Sequence, residues 1–70
     1  MKTNSYNIYE EEHSETILYH AVAHNEAEVR ELAADKGFDI EGMTIELDKP
    51  DVRTQLGRPF EPYIEDALVY

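Results

Sequence analysis

The chain has 70 residues, 16 of them acidic and six basic, for a formal net charge of −10. That length holds one small domain, residues 1–70, and no more. Cysteine is absent, which excludes a disulfide framework, a thiolate metal site and thiol catalysis.

Residues 4–11 carry Tyr6, Ile8 and Tyr9, side chains that favour a strand. Glu10, Glu11, Glu12, His13, Ser14 and Glu15 then interrupt the apolar pattern. They read as a hairpin loop without the Asn-Gly signature of a tight turn. The second strand is predicted from Thr16 to His24. Ile17, Tyr19, Ala21 and Ala23 fall on one face, and Leu18, His20, Val22 and His24 on the other.

A helix is predicted over 26–36. Asn25 suits its N-cap, and Glu28, three residues on, makes a capping-box-like start. Glu26 and Glu28 sit in the first turn, where the helix dipole favours anions. Glu26 precedes Arg30 by four residues, the favourable order for an ion pair. Gly37 supplies the left-handed residue that ends such a helix. Val29, Leu32 and Ala33 share one face with the stem of Lys36.

Gly42 marks a turn after Phe38 and Ile40. Met43, Ile45 and Leu47 then alternate with Thr44, Glu46 and Asp48, which predicts a strand buried on one side. Pro50 ends it. Asp51 is placed to cap one helical turn, Val52 to Leu56, closed by Gly57. Arg58, Pro59, Phe60, Glu61 and Pro62 should be extended, since proline biases the preceding residue away from helix. The tail from Tyr63 to Tyr70 has two patterns. Tyr63 with Ala67 and Ile64 with Leu68 are helical pairs, whereas Ala67, Leu68, Val69 and Tyr70 read as a strand. A last strand is favoured. The fold class is therefore α+β: a small, mostly antiparallel sheet in the order β-β-α-β plus a C-terminal strand or helix, with one helix packed on one face.

The sequence offers little for catalysis. His20 and His24 share a strand face about 13 Å apart, at about 3.3 Å per residue, too far for one metal ion. His13 lies among glutamates in a loop, a poor setting for a defined site. Ser5 and Ser14 lack a glycine-flanked elbow. Gly37, Gly42 and Gly57 form neither a phosphate loop nor a dinucleotide fingerprint. Asp35, Asp39 and Glu41 before Gly42 do not match a calcium loop. No enzyme, cofactor or metal is expected. Direct nucleic-acid binding is also disfavoured, because it needs clustered cations. Lys49, Arg53 and Arg58 are close in sequence but diluted by Asp48 and Asp51.

Acidic charge is spread evenly along the chain: residues 1–36 and 37–70 each hold eight acids and three bases. Two spots stand out. One is the loop with Glu10, Glu11 and Glu12. The other is the helix stripe Glu28, Glu31 and Asp35, expected to face solvent. In that stripe Glu31 and Asp35 are a like-charge i, i+4 pair, and Asp35 sits at the negative end of the dipole. A second feature is the apolar patch of Leu18, Val22 and Tyr9 on the predicted face away from the helix. It calls for cover by Phe60, Tyr63 and Ile64 or by a second subunit.

The reading is a small non-catalytic protein whose acidic surface binds a basic protein, as a nucleic-acid-mimicking or regulatory accessory factor. The alternative is a structural module that homodimerises or docks into an assembly through Leu18, Val22 and Tyr9, with the acids serving solubility. No apolar run reaches the roughly 20 residues of a membrane span. The polar stretch from Met1 to Ser5 is unlike a signal peptide. A cytoplasmic protein away from membranes is expected.

Overall fold

The computed structural model describes residues 2–11 and 16–67. The elements follow in the order β1 (Asn4–Tyr9), β2 (Ile17–Ala23), α1 (Glu26–Lys36), β3 (Thr44–Lys49) and β4 (Tyr63–Asp66). The four strands form one sheet in the order β3-β1-β2-β4, antiparallel at every pairing. The α+β expectation holds, and the last described strand is Tyr63–Asp66, ahead of the Ala67–Tyr70 stretch whose pattern suggested one; residues 68–70 lie outside the described residues.

Period-two alternation sorts the strands into two faces. In register, Tyr6 lies opposite Ala21 and Ile8 opposite Tyr19. On the outer sides, Ile45 lies opposite Ile8 and Ile64 opposite Ala21. These residues line the face that α1 covers. Tyr6, Ile8, Ala21, Ala23, Val29, Ala33, Ile40 and Ile64 make the buried core, with Tyr19, Leu32, Phe38, Met43 and Ile45 packed around it. The helix presents Val29 and Ala33 to the small side chains of Ala21 and Ala23, so it can approach the sheet closely. Leu47 departs from the sequence pattern. It alternates correctly but stands at the edge of the sheet and is half exposed.

The helix ends are well satisfied. Asn25 accepts a hydrogen bond from the Glu28 amide at its side-chain oxygen. At the other end Gly37 is left-handed, with φ 77°. The Gly37 N–H donates to the Ala34 carbonyl and the Phe38 N–H to the Ala33 carbonyl, a Schellman closure. That closure aims Phe38 back at the sheet, where its ring stacks on Tyr19 at 4.7 Å between centroids.

The predicted helical turn at 52–56 does not form. Asp51 takes a left-handed backbone, φ 49°, and donates its N–H to the Asn4 side chain. The Val52 N–H goes to the Thr3 carbonyl and the Thr54 N–H to the Arg58 carbonyl. Those amides are spent on tertiary and loop partners, and Arg53 bridges Pro59 in antiparallel fashion instead. The segment 50–62 thus carries the chain from β3, at one edge, to β4 at the other. The sheet face away from the helix is partly closed within the single chain. Val22 is only 2% exposed, and its register partners are Ser5 and Tyr63. Tyr63 covers this face as expected, but Ile64 points into the core on the opposite side.

Burial sets the expected stability effects. Ile8 is fully buried and Leu56 is 84% exposed. Ile8→Val should cost about 0.5–1.5 kcal/mol. Leu56→Ala should change stability by less than about 0.5 kcal/mol. Urea denaturation of both variants checks the ranking.

Candidate functional site

Folding redistributes charge that the sequence spreads evenly. Asn4 pairs with Ala23 and Tyr9 with both Ile17 and Thr44, so the sheet has two distinct ends. The helix leaves β2 at the Asn4 end and delivers the chain to β3 at the Tyr9 end. The Tyr9 end therefore collects Glu10 and Glu11 after β1, Asp35 in the last turn of α1, and Asp39 and Glu41 in the link to β3. All five are exposed. Asp66 finishes β4 at the same end, and the bases nearby are Lys36 and Arg30, the latter lining a concavity with Asp39 and Glu41. The Asn4 end collects Lys2, Lys49, Arg53 and Arg58. There they alternate with Glu26, Glu28, Asp48, Asp51 and Glu61, so four bases stand against five acids and charge at that end nearly cancels. Arg53 meets Asp51 at 3.1 Å and donates to the Gly57 carbonyl at 2.9 Å. Arg30 meets Glu26 at 3.7 Å.

The residues singled out in sequence divide accordingly. Glu10, Glu11 and Asp35 come together at the acidic end. Glu31 is exposed one turn back along the helix. Glu12 lies outside the described residues, as do His13, Ser14 and Glu15. Glu28 is at the wrong end and is not free. Its side chain is only 28% exposed. Its carboxylate accepts from the His24 backbone N–H at 3.0 Å and lies 2.9 and 3.1 Å from His24 Nδ1. The capping box thus reaches one residue further back than predicted, to His24. The His24 backbone N–H, and then its ring, hold the Glu28 carboxyl below its ordinary range. Asp39 and Glu41, missed as candidates, were legible only as calcium-loop look-alikes. Their contribution depends on which sheet end the 37–43 link reaches.

Among the described residues no three His, Asp or Glu side chains converge at metal-binding spacing. The acids are dispersed, which suits an extended cationic surface better than a single ion. His20 lies 3.8 Å from Glu65 and its ring is tilted against Tyr63 at 6.3 Å. Burial, and then the Glu65 carboxylate, push the Tyr63 phenol up. Near the basic residues an open concavity of about 730 Å³ is lined by Leu56, Arg58, Pro59, Phe60 and Tyr63, among others. It is shallow and open to solvent.

The apolar patch is reduced from its expected extent. Val22 is buried within one copy, while Leu18 and Tyr9 are half-buried. No described helix is long and apolar enough to cross a membrane. The chain matches no family model, no curated protein and no solved structure.

Two outcomes follow from this electrostatic layout. The lowered pKa of Glu28 means its stabilising contribution is present above the unfolded value, near 4.5, and is lost as pH falls through the folded value. Glu28→Ala should cost about 1 kcal/mol at pH 7 and flatten the acid limb of the stability curve below pH 4.5. Equilibrium denaturation across pH checks this. Repulsion among the dispersed acids is screened over about 10 Å at 0.1 M ionic strength. Melting temperature at pH 7 should accordingly rise from low to moderate salt.

Proposed function

We propose that this protein is a non-catalytic interaction protein that binds a basic protein surface through its acidic end. The observation that carries the reading is the gathering of Glu10, Glu11, Asp35, Asp39 and Glu41 at one end of the sheet, against a nearly neutral opposite end. A dipolar molecule of this kind orients as it approaches a cationic partner. Steering of that sort raises association rates and falls with added salt. Dispersed carboxylates on a rigid frame resemble a run of phosphates in charge, so a protein that binds nucleic acid is the partner class the surface fits. Binding would then compete with nucleic acid and regulate that partner. Cytoplasmic residence belongs to the same proposal.

A matched pair of variants tests it. Glu11→Lys with Glu41→Lys reverses charge at the acidic end. Glu26→Lys with Glu61→Lys makes the same net change elsewhere. All four positions are exposed, so both proteins should fold. In affinity capture from lysate, proteins retained by the parent should be lost with the first variant and kept with the second. Equal loss with both would reduce the effect to net charge and contradict a localised surface.

A further inference from the structure

The sheet stops at β3, and among the described residues nothing pairs with its outer edge. β3 has six residues and Glu46, Leu47, Asp48 and Lys49 are all exposed. β4, the other edge, has only four. An unpaired edge of that length presents a row of backbone donors and acceptors ready for another strand. We infer that the outer edge of β3 accepts an extended segment of the basic partner as a fifth strand, in which basic residues alternate with apolar ones. This rests on the acidic-surface reading and names the form in which the partner binds.

The alternation follows from the two faces of β3. Ile45 and Leu47 lie on the helix side, opposite Ile8 and Tyr6. Leu47 is 51% exposed, so the apolar rim of the core is open there. An apolar side chain on an added strand would cover it. On the other face stand Thr44, Glu46 and Asp48 and, past the register shift, Lys49 opposite Ser5. Asp48 is held on that side by Ser5, whose hydroxyl donates to Asp48 Oδ2 at 3.2 Å. The same hydroxyl accepts from the Lys49 N–H at 3.1 Å, which pins the irregular register of β3 on β1. Lysine or arginine on the added strand would meet Glu46 and Asp48 directly. Opposite charges facing across a pair stabilise it by about 0.2–1 kcal/mol, and like charges oppose it.

A second copy of this chain fits poorly. In an antiparallel pair of β3 strands, facing residues share a side of the sheet. Centring the pair on Glu46 sets Glu46 against Glu46. Centring it on Leu47 sets Glu46 against Asp48, and centring it on Asp48 sets Asp48 against Asp48. The two registers that pair five residues of β3, centred on Glu46 and on Leu47, both oppose acids, and only the short register centred on Ile45 avoids it, so the full edge disfavours a second copy and favours a cationic strand. β3 also begins beside the acidic end, where Glu41 precedes it and Glu10 and Glu11 follow its partner β1. A docked basic strand would extend along Glu46 and Asp48 into that field.

An alternating Lys–Val peptide is the probe, titrated into the labelled protein and followed by NMR and amide hydrogen exchange. A second peptide of identical sequence carries N-methyl groups on the backbone nitrogens of one edge, which keep its charge and remove its strand hydrogen bonds. The expected result is protection of alternate amides in residues 44–49 by the first peptide. Affinity for the N-methylated peptide should fall by about tenfold or more, the equivalent of a few net hydrogen bonds. Equal affinity for both peptides would overturn the fifth strand and leave the acidic surface standing. No binding of either peptide at low salt would overturn both readings. Concentration-dependent protection of β3 without peptide would show self-pairing and overturn the assignment of the edge.

Discussion

The structure depends on one crossover. β2 and β3 both run antiparallel to β1, which lies between them, so the chain must travel the length of the sheet to pass from one to the other. α1 makes that journey. It also covers the β2 and β4 part of the apolar face, while Phe38, Ile40 and Met43 of the link that follows pack on the same core, so core and connection form one continuous segment. Removing the helix contacts would therefore expose the sheet and uncouple β3 at once. The described residues form one buried core cluster, in a chain with 10 surplus negative charges.

The crossover also decides where charge goes. It returns the chain to the Tyr9 end, and the residues of the return, Asp35, Asp39 and Glu41, arrive beside Glu10 and Glu11. The later crossing from β3 to β4 runs at the other end, and takes Arg53 and Arg58 with it. An even linear distribution of acids and bases becomes an uneven spatial one. The polarity is a product of topology and is not written in any run of residues.

Much of the fold could be read from sequence because its signals are local. The helix carries its own punctuation in Asn25 and Gly37, and the alternation in 17–23 and 43–47 sets the strand faces. Tertiary competition was not legible. The 52–56 segment has capping and closing residues for a helical turn, yet the Thr3 carbonyl claims the Val52 amide, the Asn4 side chain claims that of Asp51 just before it, and the Arg58 carbonyl claims that of Thr54. Leu47 has the right parity for burial, but parity does not say which strand is at the edge. The acidic site was half visible. Glu10, Glu11 and Asp35 stand at one end of the sheet, whereas Glu28 has the composition of a surface acid and the role of a cap. Helical phase alone cannot distinguish the two, since His24 reaches Glu28 only after the strand has ended and the chain has turned.

The central claim is that folding concentrates negative potential at one end of the domain. The most direct measurement compares amide proton relaxation in the free protein caused by a cationic and an anionic nitroxide of the same size. If the claim holds, the cationic probe enhances relaxation far more than the anionic one at residues 10–11, 35 and 39–41. The difference should be small at 49, 53 and 58, and 0.5 M salt should erase it, since screening then acts within a few ångströms. A difference of equal size at both ends would contradict the claim, and the surface would be no more than uniformly solubilising charge.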